Sequence, residues 1–316
     1  MKALVSGGSG FIGSHLVDAL LERGDEVVAV DNLSTGRRSN LEGALERGAR
    51  LIEEDIRDGE TMTKLFAQEQ PEIVFHLAAQ MDVRVSTARP DYDAQINVLG
   101  TINLLEAARE NDVRRFVFTS TGGAIYGEAE ELPAAEDSPI RPEAPYGQAK
   151  FAAEGYCELY RRLHGLSTVS LRLGNVYGPR QDPFGEAGVI AIFCGKLLEG
   201  GRPTVFGDGK QTRDYIYVRD VVDAALIVAA NDIHGSYNVG RGAETTVLEL
   251  IETLSDLAGV EAEPEFAPAR PGEVLRNALD PSKSKSELGF EAKVGMGDGL
   301  RTTLESFREE AAAKAA

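Results

Sequence analysis

Three types of side chain in this sequence, a phenol, an amine and two hydroxyls, could together move a proton to and from an alcohol. Tyr146 and Lys150 lie four residues apart where an apolar pattern with helical spacing begins, so they are predicted to share one helix face. A phenol with its usual pKa of about 10 is a poor base at neutral pH, and a nearby ammonium stabilises the phenolate. We therefore expect Lys150 to lower the pKa of Tyr146 and to make it a usable acid–base group.

The hydroxyls belong to Ser120 and Thr121, which follow a predicted strand at 115–119. In an open parallel sheet the carboxyl ends of the strands face the ligand crevice, so these hydroxyls are expected at the substrate. Thr121, or Ser120, would hydrogen-bond the same substrate oxygen as Tyr146. A tyrosine–lysine pair alone indicates little. Its combination with a hydroxyl and a dinucleotide turn favours alcohol–ketone interconversion, in which a cofactor carries the hydride.

A glycine-rich turn between the first predicted strand and helix contains Gly7, Gly10 and Gly13. There a bound pyrophosphate would meet free backbone N–H groups and the positive end of a helix dipole. The missing Cβ atoms allow a tight turn and close approach of phosphate. A second predicted strand at 27–30 ends at Asp31, eighteen residues past Gly13, where dinucleotide sites place their ribose-binding carboxylate.

The type of dinucleotide is indicated by Asp31, because a carboxylate at this position would repel the 2′-phosphate of NADP. Arg37 and Arg38 follow soon after and could have the opposite effect. We interpret these two arginines as loop cations and predict NAD as the cofactor.

Further cofactor contacts are expected where the next strands end. Asp55 and Ile56 follow a predicted strand at 50–53 and could lie against an adenine ring, although an aspartate at a helix N-terminus is an equally good interpretation. Asn97 lies within a predicted helix at 92–110 and is either solvated or holds backbone at the active site. The apolar spacing of this helix places Ile96, Leu99, Ile102, Leu105 and Ala108 on one face. The remaining cofactor candidates are Phe11, Ile12, Asn32, Leu77, Ala78, Ala79 and Gln80.

Composition bounds the class of protein. The 316 residues are 42% hydrophobic, and strand and helix patterns alternate, which predicts an α/β fold with a parallel sheet. A net charge of −18 argues against nucleic acid or an anionic membrane as a partner. No signal peptide or membrane-spanning run is recognised, so we expect a cytoplasmic protein. Cys157, Cys194 and four scattered histidines lack metal-ligand spacing, and we expect no metal.

Taken together, the motifs resemble the extended short-chain dehydrogenases/reductases over nearly the whole chain, and within them the nucleotide-sugar epimerases. The resemblance rests on Gly7-Gly8-Ser9-Gly10-Phe11-Ile12-Gly13, Asp31-Asn32-Leu33-Ser34-Thr35-Gly36, His76-Leu77-Ala78-Ala79-Gln80, Tyr146-Gly147-Gln148-Ala149-Lys150, Leu171-Arg172-Leu173-Gly174-Asn175-Val176-Tyr177-Gly178-Pro179-Arg180 and Arg213-Asp214-Tyr215-Ile216-Tyr217-Val218. It implies a Rossmann-type doubly wound parallel sheet with a smaller, interleaved carboxy-terminal substrate domain. The NAD-binding domain would cover 1–170, with returns near 218–240, and the substrate domain most of 171–316.

The resemblance also implies an activity: NAD-dependent epimerisation at C4 of a UDP-hexose (UDP-glucose or UDP-galactose) through a 4-keto intermediate. Tyr146 would be the base and acid, Lys150 its electrostatic partner, and Thr121 the hydroxyl at the sugar O4. Two of its helices resemble a dimer-forming pair, which implies a homodimer. The substrate-binding residues that it implies are Thr121, Asn175, Gly188, Val189, Phe206, Arg213, Arg270, Glu273 and Asn277.

Several alternatives stay open at this point. UDP-glucuronate or UDP-N-acetylglucosamine could be the substrate instead, the latter because Asn277 is smaller than the tyrosine of some family members. A nucleotide-sugar dehydratase is less expected, because Gly122 and Gly123 stand where those enzymes have an Asp-Glu pair. A catalytically silent NAD-binding module would not need Tyr146 or Lys150.

Overall fold

The computed structural model describes residues 1–183, 188–269 and 274–315. Its strands, numbered in chain order, are β1 (Lys2–Ser6), β2 (Glu26–Val30), β3 (Arg50–Ile52), β4 (Ile73–His76), β5 (Arg115–Thr121), β6 (Thr168–Leu173), β7 (Asn175–Tyr177), β8 (Thr204–Phe206), β9 (Thr212–Arg213), β10 (Tyr215–Tyr217), β11 (Gly235–Val239), β12 (Thr245–Thr246) and β13 (Glu265–Ala267). Its α-helices are α1 (Phe11–Glu22), α2 (Glu42–Glu46), α3 (Gly59–Glu69), α4 (Val83–Ala88), α5 (Pro90–Ala94), α6 (Thr101–Glu110), α7 (Gly122–Ile125), α8 (Pro145–His164), α9 (Val189–Leu198), α10 (Val218–Ala230), α11 (Val247–Ala258), α12 (Ser282–Leu288) and α13 (Met296–Ala315).

Seven strands form one sheet in the order β3-β2-β1-β4-β5-β6-β11. Leu4 of β1 lies opposite Val28 of β2 and Val74 of β4, and both pairings are parallel. The central residues of these strands, 3–5, 27–30 and 73–75, are apolar and buried on both faces, as is typical of a parallel sheet covered by helices. The strand order changes direction between β1 and β4, the switch point at which such sheets bind ligands. The predicted Rossmann-type α/β fold is confirmed.

The chain divides into two compact units. The first comprises Met1–Ile125, Pro142–Arg172 and Val222–Tyr237. Its core packs side chains of α3, α6 and α8 against the sheet, among them Phe66, Leu104 and Cys157.

The second unit comprises Tyr126–Arg141, Leu173–Val221 and the chain from Asn238 onward. Its described residues form three two-stranded sheets, β7 with β10, β8 with β13 and β9 with β12. Helices α9, α11 and α13 contribute its core, in which Phe193, Leu250 and Leu304 are buried.

The helix predicted at 92–110 is interrupted. A π-helical turn, Gln95–Gly100, separates α5 from α6. A π turn contains an extra residue, so the helix face rotates and the regular apolar spacing no longer marks the buried side. Leu99, which that spacing places on the buried face, is 54% exposed, whereas Asn97 is 1% exposed. The prediction of one continuous amphipathic helix was therefore wrong in this turn.

Candidate active site

The glycine turn is built from backbone that lies too close for side chains. Gly7 has a φ of +73°, and a Cβ added there would lie 2.6 Å from the backbone N of Ala78. Helix α1 then begins at Phe11 and Ile12, whose amides belong to the first turn, where N–H groups lack intrahelical acceptors. Within the described chain no side chain caps this turn. The arrangement fits a dinucleotide pyrophosphate, which needs close backbone and free amides.

Asp31 lies at the end of β2, next to this turn. Its carboxylate accepts hydrogen bonds from the backbone N of Ser9 and of Leu33, each at 2.9 Å. Burial raises the pKa of the carboxyl, and the two N–H donors counteract part of that effect. Arg38 forms an ion pair with Glu53 at 3.2 Å, which fits its interpretation as a loop cation.

The candidate adenine contacts are partly occupied by the protein itself. Asn32 Nδ2 donates to Asp55 Oδ2 at 2.8 Å, and Arg57 donates to both carboxylate oxygens at 3.0 and 2.7 Å. The Arg57 guanidinium lowers the pKa of Asp55 to about 2. Ile56 is 5% exposed and belongs to the core. The alternative interpretation of Asp55 as a helix cap was wrong, because Asp58 caps α3.

The segment after β4 is held by Asn97. Leu77 and Ala78 donate their backbone N–H groups to Ser6 O, both at 3.0 Å. Asn97 accepts from Gln80 N at 3.0 Å and donates to Gln80 O at 2.8 Å. Of the two interpretations of Asn97, the structure supports the one in which it holds backbone. Ala79 lies between these anchored residues and is half-buried.

A buried row of hydrogen bonds leads from β1 to the π turn. Ser6 Oγ lies 2.8 Å from His76 Nδ1, and His76 Nε2 lies 2.8 Å from Thr101 Oγ1. Thr101 donates its only hydroxyl proton to Asn97 O. The imidazole must therefore donate from Nε2 and accept from Ser6 at Nδ1, which assigns its tautomer. Burial lowers the pKa of His76 well below its usual range, so the ring is neutral.

Tyr146, Lys150 and Thr121 are brought together. Strand β5 extends two residues beyond its predicted end, so Ser120 and Thr121 are its last residues. A side-chain hydrogen bond joins Thr121 and Tyr146. Lys150 is 3% exposed and donates from Nζ to Thr119 O at 2.8 Å. Ser120 is buried, and its Oγ has no hydrogen-bond partner among the described residues.

The electrostatics of Tyr146 differ from the sequence-based expectation. Burial raises the pKa of its phenol, the negative charge of Asp93 acts in the same direction, and the Thr121 hydrogen bond opposes them. Burial also lowers the pKa of Lys150 to about 8. The pKa of Tyr146 is therefore raised in the protein, against the expectation that Lys150 would lower it.

Asp93 was missed by sequence reasoning. It lies in α5 and is 1% exposed, with Oδ1 accepting from Gln80 Nε2 at 2.9 Å and from Asn97 Nδ2 at 3.0 Å. Its charge interacts with both Tyr146 and Lys150. The available signal was an acidic residue one helical turn before an asparagine, on the same face.

Apart from Thr121, the candidate substrate residues that the structure describes lie in the second unit. Asn175 begins β7 and donates its backbone N–H to Asp214 O at 2.7 Å. Gly188 and Val189 form the start of α9, Phe206 ends β8, and Arg213 in β9 donates to Thr212 O. Arg270 and Glu273 lie outside the described residues.

Asn277 is completely buried in the second unit. Neither its Oδ1 nor its Nδ2 has a hydrogen-bond partner among the described residues.

Metal sites and membrane spans are both lacking in the described part of the chain. It contains no group of three or more histidine, cysteine, aspartate and glutamate side chains that could hold a metal ion. None of its helices has the length and apolar character needed to cross a membrane.

Comparison with known proteins gives consistent matches. Residues 3–240 match the NAD dependent epimerase/dehydratase family. A UDP-glucose 4-epimerase from Mycolicibacterium smegmatis is 45% identical over 98% of this chain and 99% of its own length. A crystal structure of UDP-glucose 4-epimerase with UDP-glucose from Thermotoga maritima is 46% identical, with a TM-score of 0.95 over 98% of this chain and 100% of that one. A Thermus thermophilus UDP-glucose 4-epimerase in complex with NAD is 45% identical, with a TM-score of 0.90 over 98% and 99%. On these grounds and on its fold, the chain belongs to the NAD dependent epimerase/dehydratase family.

Proposed function

We propose that this protein is an NAD-dependent epimerase that inverts C4 of a UDP-hexose, interconverting UDP-glucose and UDP-galactose through a 4-keto intermediate. The observation that carries the proposal is the hydrogen-bonded pair of Tyr146 and Thr121 beside the buried Lys150, in the same unit as the glycine turn. Relatives similar over their full length are named for this activity.

Tyr146 accepts the proton of the sugar O4 and later returns it. Thr121, already hydrogen-bonded to the phenol, is placed to contact the same oxygen. Lys150 holds its ammonium close to the end of β5 through Thr119 O, where it favours negative charge on oxygen. When bound, NAD supplies a reversible hydride acceptor for C4 and a positive ring charge that favours the phenolate.

The glycine turn and Asp31 would hold the dinucleotide. A Cβ at Gly7, Gly10 or Gly13 would meet neighbouring backbone, so these glycines allow the tight turn whose amides would bind the pyrophosphate. Asp31 keeps acceptor capacity for ribose hydroxyls beyond its two backbone donors. Asn32, Asp55 and Ile56 would lie at the adenine, and the anchored segment Leu77 to Gln80 would lie beneath the cofactor.

The second unit would hold the UDP moiety. A guanidinium matches phosphate oxygens bidentately, which suits Arg213 and Arg270 to the diphosphate. Asn175 would face the same diphosphate, and Glu273 the uridine ribose. Gly188, Val189 and Phe206 would flank the uracil.

Asn277 bears on which sugar is accepted. Asn277 is smaller than tyrosine, and its buried Oδ1 and Nδ2 have no hydrogen-bond partner among the described residues, so both could bind a polar group of the substrate. This supports acceptance of UDP-N-acetylglucosamine as a second candidate substrate. Asn277→Tyr is expected to reduce turnover of that sugar more than turnover of UDP-galactose, and equal losses would refute the idea.

We further propose that the protein forms a homodimer through the π turn and α8. Leu99 is 54% exposed, and Phe151 and Leu163 on α8 are 37% and 65% exposed. Exposed apolar side chains on adjacent helices are typical of a surface covered by a partner. Sedimentation equilibrium at micromolar concentration is expected to give twice the chain mass of 34.0 kDa, and a monomer mass would reject this interface.

The function is tested by incubating the purified protein separately with UDP-galactose, UDP-glucuronate and UDP-N-acetylglucosamine and identifying the products. UDP-glucose should form from UDP-galactose. Tyr146→Phe tests the catalytic role of Tyr146, because it removes only the hydroxyl. The rate of UDP-galactose epimerisation should fall by about 10³-fold or more in this variant. A near-normal rate in this variant would remove Tyr146 from the mechanism. Release of a 4-keto-6-deoxy sugar would indicate a dehydratase instead.

A further inference from the structure

The carboxylate of Asp93 is buried in an unusual way. Its Oδ1 accepts from two neutral amides, Gln80 Nε2 at 2.9 Å and Asn97 Nδ2 at 3.0 Å. Its Oδ2 is inaccessible and has no hydrogen-bond partner among the described residues. The amides therefore fix the position of the carboxyl and carry no charge that would neutralise it, while burial raises its pKa. An unsatisfied buried oxygen is unfavourable for folding, which makes a functional role worth testing.

Asp93 is buried on a helix that packs against the helix of the acid–base residues. Helix α5 packs on α8, and the charge of Asp93 interacts with both Tyr146 and Lys150. The neighbouring Asp91, by contrast, is exposed and paired with Arg89 at 3.1 Å. Within α5, the carboxylate of Asp91 is therefore exposed to solvent, and that of Asp93 is buried.

We propose that Asp93 is a positioning residue whose carboxylate sets the protonation of the Tyr146–Lys150 pair. The proposal rests on the proposed function only for its effect on turnover. The two amides of Gln80 and Asn97 hold the carboxylate in place, and the π turn brings Asn97 inward to do so.

A fixed negative charge favours the protonated form of each member of the pair. It helps Lys150 to keep its ammonium against the effect of burial, and it helps Tyr146 to keep its proton. The two groups titrate together, so the observable protons belong to the pair. Removing the charge of Asp93 should therefore lower the pKa of both Tyr146 and Lys150.

The other titratable groups around the pair do not replace Asp93. His76 is neutral, because burial lowers its pKa well below the usual range. Glu154 is paired with Arg172 at 2.8 Å, and burial raises the pKa of the Cys157 thiol, which keeps it protonated. On α4, Arg84 lies 3.4 Å from Asp82.

The test compares Asp93→Asn with Asp91→Asn, which makes the same charge change on the exposed side of α5. Lysine side chains are labelled with ¹³C at Cε, and the Lys150 resonance is identified by its loss in Lys150→Met. In the NAD-loaded protein, Asp93→Asn should lower the titration midpoint of Lys150 by about one pH unit, the scale expected for one buried charge. Asp91→Asn should leave it unchanged, because water screens that charge.

Turnover gives a second readout. The acid limb of kcat/KM for UDP-galactose should move to lower pH in Asp93→Asn, since the phenolate forms more readily. A midpoint that stays, rises, or moves equally in both variants would overturn the proposal and leave Asp93 a neutral structural group. If Asp93→Asn does not fold, Asp93→Ser, which keeps an acceptor in a smaller side chain, should give the same shift. The NMR titration needs no substrate, so absence of epimerisation with a shifted midpoint would reject the function and keep this inference.

Discussion

The glycine turn and the acid–base cluster of Asp93, Tyr146 and Lys150 lie in the same unit but are built from different materials. The turn consists of backbone, and its geometry depends on side chains being absent, as at Gly7. The cluster consists of charged and polar side chains whose surroundings shift their pKa values. The turn should therefore be sensitive to added volume and indifferent to pH, whereas the cluster should tolerate volume changes better than changes of charge or hydrogen bonding.

Among the variants that test this comparison, the largest effect is expected from Thr121→Val, which preserves shape and removes the hydroxyl that hydrogen-bonds Tyr146 of the cluster. kcat for UDP-galactose should fall by about 10²-fold, the usual scale for one lost hydrogen-bond donor at a reacting oxygen. The Thr121 hydrogen bond lowers the pKa of Tyr146, so its loss should raise that pKa and move the acid limb of kcat/KM to higher pH. Bound NAD, measured after protein denaturation, should be unchanged.

Ser120→Ala is the matched control for this experiment. Its Oγ is buried without a hydrogen-bond partner among the described residues, so kcat should change only slightly. Equal losses in the two variants would mean that the two hydroxyls share the role.

An intermediate effect is expected from Gly7→Ala in the glycine turn. The new Cβ would collide with Ala78 N, and the residue would be held at a φ of +73°. The free energy of unfolding should fall by about 1–3 kcal/mol. Bound NAD should be lost, with no change in the pH profile of the activity that remains.

Gly24→Ala separates the effect of the positive φ from the effect of the steric collision. Gly24 has a φ of +86°, but no atom lies within 4 Å of an added Cβ. The Gly24→Ala variant should lose only the stability that a positive φ costs an alanine, and it should still bind NAD. If Gly24→Ala and Gly7→Ala behave alike, the close approach at Gly7 has no role in cofactor binding.

The smallest effect is expected from Asp55→Asn, where a partly exposed side chain serves both stability and the proposed adenine contact. Loss of a surface ion pair typically changes stability by about 0.2–1 kcal/mol. Arg57 lowers the pKa of Asp55 to about 2, so its stabilising effect is present at neutral pH and disappears as pH falls from about 4 towards 2. The difference in Tm between wild type and variant should accordingly narrow in acid, in thermal scans at several pH values.

Asp91→Asn provides the comparison for Asp55→Asn, since Asp91 is likewise paired with a nearby arginine. It should resemble Asp55→Asn in acid stability and differ by leaving NAD affinity unchanged, as measured by calorimetry. Equal NAD affinities in the two variants would place Asp55 away from the cofactor.

The features that could be predicted are those that depend on residues close together in the sequence. Glycines before an apolar helix, and an acidic residue ending the next strand, report local geometry, so the glycine turn and Asp31 could be located from the sequence. The parallel sheet followed from strand and helix patterns in the same way.

Features that depend on tertiary packing could not be predicted. The π turn rotates the helix by one residue, and no local pattern indicates which of Asn97 and Leu99 turns inward. The pKa of Tyr146 depends on Asp93, which lies on another helix, and on burial that only the folded chain creates. The expectation that Lys150 lowers the pKa of Tyr146 considered this one pair and omitted burial and the charge of Asp93.

The hydrogen bonds from Ser6 through His76 to Thr101 run in one direction, because Thr101 has a single proton and gives it to Asn97. Substitutions at Ser6, His76 and Thr101 are therefore constrained together. Serine and threonine can exchange at either end, since both preserve the direction of donation. Replacing either hydroxyl by a side chain that can neither donate to Nδ1 nor accept from Nε2 would leave a buried imidazole nitrogen without a partner, which is unfavourable.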